Sequence, residues 1–188
     1  ATAFFLLRVN PLLKRSDPRL IRPPGALPEK EFLSKCIKCS ECIKICPTNA
    51  LHPTFLEAGS EGMWSPMLVP RIGYCEYGCV LCGNTCPTGA IQALPDFVKN
   101  KIKIGLAFVD KGRCLPFAFG TPCVVCEEHC PTPKKAIWLE EVKVIDRDGN
   151  EKILKQPHVD PKLCIGCGIC EYKCPVVDRP AIYVTNIG

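Results

Sequence analysis

The chain has 188 residues, enough for one domain or two small fused ones, with 47% apolar residues, 19 prolines, 14 glycines and a formal charge of +5. So many prolines and glycines exclude long helices, and no apolar stretch approaches the roughly eighteen residues of a membrane span. No basic run is interleaved with aromatics, so the positive charge is not read as a nucleic-acid footprint.

In chain order, residues 1–28 read as an extended N-terminal arm. The longest apolar run, residues 1–7, stands at a start without Met, which fits either the tail of an export signal or a cut boundary. A Pro-rich, basic stretch follows, with Arg8, Lys14, Arg15, Arg19 and Arg22. Such an arm suits a partner or an anionic membrane surface better than a core, with a solvated tail as the plain alternative. Residues 28–35 predict a short helix, Pro28 early and Phe32-Leu33 inward. The first cysteine block is Cys36-x2-Cys39-x2-Cys42-x3-Cys46-Pro47. Residues 52–74, with Gly59 and Gly62, read as an inserted loop before the second block, Cys75-x3-Cys79-x2-Cys82-x3-Cys86-Pro87. A strand is predicted over residues 102–109. The third block is Cys114-x8-Cys123-x2-Cys126-x3-Cys130-Pro131. Residues 137–145 and Ile153-Leu154 flank Asp146-Arg147-Asp148-Gly149-Asn150, a hairpin signal. The fourth block is Cys164-x2-Cys167-x2-Cys170-x3-Cys174-Pro175.

The repeat runs past the cysteines. Each block is followed by a small and an aliphatic residue: Ala50-Leu51, Ala90-Ile91, Ala136-Ile137 and Ala181-Ile182. Val109-Asp110 and Val159-Asp160 stand at the same distance before Cys114 and Cys164, which marks Cys114 as the first ligand of its block. Three thiolates two residues apart can wrap a loop around one iron–sulfur cube; the fourth faces away, and in two-cluster ferredoxins it ligates the other cluster. The proline after it fixes φ and turns the chain out of the loop. All sixteen cysteines are thereby candidate ligands of four [4Fe–4S] clusters, and the clusters' own charge would bring the molecule to roughly −3.

Competing chemistries fit less well. Zinc sites pair two knuckles of two ligands, whereas each block here offers four ligands in one run ending in Pro. Eight disulfides would show more varied spacing. Cys75-x3-Cys79-x2-Cys82 has the spacing of a radical enzyme, but Cys86 and the sister blocks supply full ligation and the chain has no room for a barrel. Of the three histidines, His52, His129 and His158, only His129 adjoins a ligand, and it reads as a surface residue. Phe117 and Phe119 could shield a cluster or be ordinary core.

The fold expected is α+β and ferredoxin-like: two pseudo-symmetric two-cluster modules with short strands, short helices and long loops in one domain over residues 29–188. Because the first and fourth blocks are regular and the middle two stretched, nested modules are expected, 36–47 with 164–175 and 75–87 with 114–131. Sequential pairing is the alternative. Lys35, Lys38 and Lys44 around the first block, against Glu76, Glu127 and Glu128 in the middle ones, predict that the central pair is harder to reduce.

The run Arg22-Pro23-Pro24-Gly25-Ala26-Leu27-Pro28-Glu29 leading into Cys36, the run Pro70-Arg71-Ile72-Gly73-Tyr74-Cys75-Glu76-Tyr77, and the closing Cys174-Pro175-Val176 with Ala181-Ile182 resemble the MauM/NapG group of ferredoxin-type proteins. The resemblance covers about residues 20–188. It implies four [4Fe–4S] clusters, a periplasmic or otherwise extracytoplasmic and in part membrane-associated location, with a cytoplasmic one as the alternative, and electron relay between a membrane-bound, quinol-linked donor and a terminal oxidoreductase. The chain is then an electron carrier and not an enzyme. A structural zinc-bound interaction module and an electron-transfer subunit of a molybdenum-type oxidoreductase are the competing functions.

Overall fold

The computed structural model describes residues 17–145, 149 and 151–186. The apolar start with Arg8, Lys14 and Arg15, and the hairpin turn at 146–150 except Gly149, lie outside the described residues.

The first half carries α1 (Glu29–Lys35), α2 (Glu41–Lys44), β1 (Leu51–Pro53), α3 (Gly59–Gly62), β2 (Pro66–Leu68), α4 (Leu81–Asn84) and α5 (Asp96–Lys99). The second carries β3 (Leu106–Val109), α6 (Leu115–Ala118), α7 (Val125–Glu128), β4 (Ile137–Ile145), β5 (Glu151–Val159), α8 (Ile169–Lys173) and β6 (Ile182–Thr185). It is a small mixed helix–strand fold of ferredoxin type. Except for α1, the helices are four or five residues long, as the proline and glycine content requires. The predicted helix before the first block is α1: Pro28 pre-sets its entry, the Phe32 amide donates to the Pro28 carbonyl, and the Phe32 side chain is fully buried. The predicted strand over 102–109 is confined to β3, and the predicted hairpin is β4–β5, paired along all nine residues of each strand. The inserted loop of 52–74 holds β2 and the single turn α3.

Three two-stranded antiparallel sheets form, β1 with β2, β3 with β6, and β4 with β5. Their partners follow one rule. β2, leading into the second block, pairs with β1, which leaves the first. Ala26, leading into the first block, bridges Ile91, which leaves the second. β5 leads into the fourth block and pairs with β4, which leaves the third; β3 leads into the third and pairs with β6, which leaves the fourth. The buried Ala residues after each block mark these crossings, since their carbonyls accept from Val69, Leu27, Asp160 and Asp110.

Blocks 36–47 and 75–87 therefore exchange strands with each other, and 114–131 with 164–175. The nested grouping expected from the spacing is not formed. The physical reason is local. An antiparallel pair needs only a short return between one block's exit and the next block's entry. The stretches that suggested kinship of the middle blocks are absorbed within each loop; the long gap after Cys114 winds into α6, with Pro116 in its first turn and buried.

Residues 17–28 run through two tight turns, at Pro18-Arg19 and Pro24-Gly25, and the expectation of an extended arm that stays off the core fails for this part. Leu20, Ile21 and Pro23 are buried, Ile21 bridges Leu68, and Arg22 lies over the Phe32 ring at 4.5 Å while its Nη1 donates to the Pro66 carbonyl at 2.6 Å. Apolar residues between the arginines carry the segment inward, and Arg22 buries its stem while its head finds Glu29, Ser65 and Pro66.

The two halves meet at the second and fourth blocks. The Cys75 amide donates to the Cys167 carbonyl at 2.8 Å, and Ile104 to Ile165 at 3.0 Å. The Arg71 guanidinium donates to the carbonyls of Glu171, Cys174 and Val176 at 3.0–3.2 Å, and the rings of Tyr74 and Tyr172 lie 5.3 Å apart.

Candidate metal centres

The sixteen thiols gather into four quartets, each around its own cavity. Cys36, Cys39 and Cys42 face Cys86. Cys75, Cys79 and Cys82 face Cys46. Cys114, Cys123 and Cys126 face Cys174, and Cys164, Cys167 and Cys170 face Cys130. Three thiols of each quartet come from one loop and the fourth from the partner block, as the spacing implied, but the partner is the sequential one. Cys46 lies with Cys75, not with Cys164.

The way each quartet is built follows from the backbone. The third cysteine of every block sits on a one-turn helix: Cys42 on α2, Cys82 on α4, Cys126 on α7 and Cys170 on α8. The turn points that thiol back toward the first two. The fourth cysteine precedes proline, and the strand after it carries that thiol to the neighbouring cavity. The Ala-aliphatic pair that follows lines the same cavity, Ala50-Leu51 beside Cys46 and Ala90-Ile91 beside Cys86. Of the two phenylalanines singled out in the third block, neither lines its cavity; Leu115 and Val125 do, and Phe119 is exposed. His129 is exposed, and its Nδ1 donates to the Val125 carbonyl at 2.9 Å.

Backbone amides are aimed at the fourth thiols. Ala50 donates to Cys46 Sγ at 3.3 Å, Ile91 to Cys86 Sγ at 3.5 Å and Ala181 to Cys174 Sγ at 3.4 Å. At Cys130 the Thr132 hydroxyl intervenes, 3.3 Å from the sulfur and accepting from the Ala136 amide at 3.0 Å. Burial pushes the Cys86 thiol up, but the Ile91 amide, the Thr88 hydroxyl and further amides outweigh it and leave the thiol below its ordinary value. At the third thiols the backbone amides of the following turn lower the value too, but burial outweighs them. Burial first, then the thiols across the cavity, push Cys42 to about 11 and Cys82 and Cys126 to about 12. Cys167 is likewise pushed to about 12 and Cys170 well above its ordinary value, again chiefly by burial. Buried thiols raised this way are favoured as thiolates when positive metal shares the cavity.

That donor set fits a cube of iron and sulfide. Each quartet surrounds open space of about 330–380 Å³, mouth included. A structural zinc needs its thiols within about 2.3 Å of one point, and among the described residues no three His, Cys, Asp or Glu side chains converge as ligands of a single ion. The zinc-module alternative is not favoured.

Neighbouring quartets lie within electrostatic reach of one another. The Cys42 thiol is close enough to raise Cys82, Cys75 to raise Cys167, and Cys126 to raise Cys170, each as a lesser effect beside burial. The cavities thus stand in one row: that of Cys36, then Cys75, then Cys164, then Cys114. All but one thiol are buried or half-buried; Cys39, at the first end of the row, is exposed.

Sequence reading missed Thr48, Thr88 and Thr132, which sit two residues after the fourth cysteine of three blocks; that repeat was visible in the sequence. It also missed Lys99. Nothing in the run Lys99, Lys101, Lys103 distinguishes the first, yet it alone of the three is buried, at 3% exposure, with its ammonium on the Glu76 and Tyr77 carbonyls.

Buried thiol quartets on a small helix–strand frame define a ferredoxin-type iron–sulfur protein, and comparison with known proteins agrees. The 4Fe-4S binding domain matches residues 32–52 and 157–177, the two regularly spaced blocks. The methylamine utilization ferredoxin-type protein MauM of Methylophilus methylotrophus is 38% identical over 168 residues, 87% of this chain and 69% of that protein. The ferredoxin-type protein NapG of Escherichia coli K12 is 37% identical with the same coverage, and NapF of that organism is 28% identical over 87% of this chain and 85% of its own. The chain belongs to the MauM/NapG family of ferredoxin-type proteins. It is an iron–sulfur electron-transfer protein.

Proposed function

We propose that the chain holds four [4Fe–4S] clusters, one per quartet, and relays electrons along the row without a substrate of its own. The observation that carries this is the grouping of all sixteen thiols into four quartets, each within electrostatic reach of the next. The strand exchange repeated in both halves supports two pseudo-symmetric two-cluster modules, 36–47 with 75–87 and 114–131 with 164–175.

A [4Fe–4S] cluster supplies one-electron transfer without atom transfer. The chain's own part is to fix four thiolates per cavity, to exclude water with the Ala-aliphatic pairs, and to hold the cavities edge to edge. The exposed Cys39, flanked by exposed Ile37 and Lys38, makes the first end of the row a docking point for a redox partner. The partners that suit such a relay are a membrane-bound, quinol-linked donor and a terminal oxidoreductase. An extracytoplasmic location accords with the family resemblance. No helix of the described residues is long and apolar enough to cross a membrane. Iron and sulfide analysis of anaerobically purified protein tests the reading. About four irons for each of the four quartets are expected, and half that value in folded full-length protein refutes it.

A further inference from the structure

We propose that Lys99 raises the reduction potential of the cluster position formed by Cys46, Cys75, Cys79 and Cys82, so that an electron in the row settles beside the junction of the two halves. The inference rests on the proposed four-cluster reading.

Lys99 ends α5, and its ammonium turns inward. Nζ donates to the Glu76 carbonyl at 2.5 Å and the Tyr77 carbonyl at 2.8 Å, within the loop between Cys75 and Cys79. Burial raises the Cys75 thiol at the start of that loop, and the nearby charge of Lys99 pulls the other way. Among the described residues no carboxylate forms an ion pair with Lys99. A buried ammonium without a counter-ion is costly. Here its natural counter-charge is the anionic thiolate–iron group, held on the loop that the lysine itself braces. Reduction there adds one electron, delivered by a redox partner, and one negative charge, and it forms or breaks no bond. A fixed positive charge in a low-dielectric setting favours that more negative state.

The other charges noted in the sequence act more weakly. Lys35 pairs with Glu31, and Lys44 with Glu41, at exposed sites. Lys38, at the surface, donates to the Glu61 carbonyl. Glu127 is cancelled by Lys135 at 2.7 Å. The Glu76 carboxylate is exposed and accepts from the Tyr77 amide. Exposed charges are screened by water and salt, and a buried one is not. For its second-block member, this proposal runs against the expectation that the central pair is harder to reduce than the first cluster.

The test is a redox titration followed by electron spin resonance on anaerobic full-length protein, comparing wild type with Lys99→Gln, Lys99→Met, Lys99→Arg and the exposed control Lys101→Gln. In both neutral variants one couple is expected to lose at least about tenfold in its reduced-to-oxidised ratio at a fixed potential, which is a fall of 59 mV for one electron. The arginine variant and the control are expected to stay close to wild type. Unchanged potentials in a neutral variant with full iron content overturn the role of Lys99 and leave the four-cluster reading standing. If neither neutral variant keeps full iron but the arginine variant does, Lys99 is a prop for the loop and the proposal fails. If Cys75, Cys79 and Cys82 of anaerobic wild-type protein react with an alkylating agent, the underlying cluster reading fails instead.

Discussion

Lys38 and Ser40 in the first block adopt the same left-handed backbone as Gly166 and Gly168 in the fourth, with φ of 58°, 64°, 76° and 86°. The C-x2-C-x2-C loop needs both reversals to bring three thiols to one cavity. In the fourth block glycine supplies them freely. In the first, two ordinary residues bear the strain, which costs about 1–2 kcal/mol for a non-glycine residue. Ser40 makes no side-chain cap to α2, so Ser40→Gly is expected to stabilise the protein by roughly 1 kcal/mol, seen as a higher anaerobic thermal midpoint. The opposite change is not symmetrical. A Cβ on Gly168 would stand 2.9 Å from Pro70 Cβ, so Gly168→Ala adds a clash between the halves to the strain and is expected to lower the midpoint by about 2 kcal/mol of stability. At the same scale, single thiols report the pairing. Cys86→Ala is expected to leave Cys36, Cys39 and Cys42 open to alkylation under anaerobic conditions, with Cys75, Cys79 and Cys82 still protected. Mass mapping of the labelled peptides decides it; the reverse pattern would show that each block closes on itself.

The segment of residues 17–28 shows most plainly what one chain of letters reveals and hides. Its prolines suggested an extended form and its basic charge a free arm, whereas the segment turns at Pro18-Arg19 and at Pro24-Gly25. What the pattern did not show is that Leu20, Ile21 and Pro23 are buried, that Ile21 bridges Leu68 of β2, and that Pro23 and Pro24 help to wall the cavity of Cys75. Burial of a short extended segment leaves no periodicity to read. The cysteine blocks, the helix α1 and the β4–β5 hairpin were legible because spacing and local turn chemistry determine them. Which blocks share a cavity was not, because the same ligand spacing serves any partner and the strands make the choice. Lys99 was hidden for a similar reason, since its acceptors are carbonyls of a turn more than twenty residues earlier. Deleting residues through 24 is therefore expected to remove about four irons, those of the Cys46, Cys75, Cys79 and Cys82 cavity, rather than only to weaken a partner's grip. Full iron in that truncated protein would show that the segment is dispensable. Arg22→Ala alone, which leaves the buried Ser65 hydroxyl and Pro66 carbonyl and the exposed Glu29 carboxylate without this donor, is expected to cost about 1–3 kcal/mol of stability in the same assay.

On the scale of the whole molecule, a row of four positions works as one relay only if its middle gap stays closed. Within each half the strand exchange closes the gap, because every cavity borrows a thiol carried by its partner's tail. Between the halves no thiol is shared. The joint rests on the Cys75–Cys167 and Ile104–Ile165 backbone bonds, on Gly168 against Pro70, on the Tyr74–Tyr172 ring pair, and on Arg71. Arg71 belongs to the lead-in of the second block, and its three carbonyl acceptors belong to the end of the fourth. The guanidinium's fixed fork suits such a set. Arg71→Gln keeps a polar side chain of shorter reach and removes the charge. It touches no thiol, so all four quartets are expected to keep their iron. What changes is the hold of one half on the other. Loss of about 2 kcal/mol at the joint lets the halves part transiently, and transfer across the Cys75–Cys167 contact slows while transfer within each half does not. Rapid-mixing reduction separates these: in wild type all reducible positions are expected to fill in one phase, and in Arg71→Gln half of the absorbance change is expected to lag. A single fast phase in the variant, with iron content unchanged, would mean that the joint does not limit the relay and that the two halves exchange electrons with their donor independently.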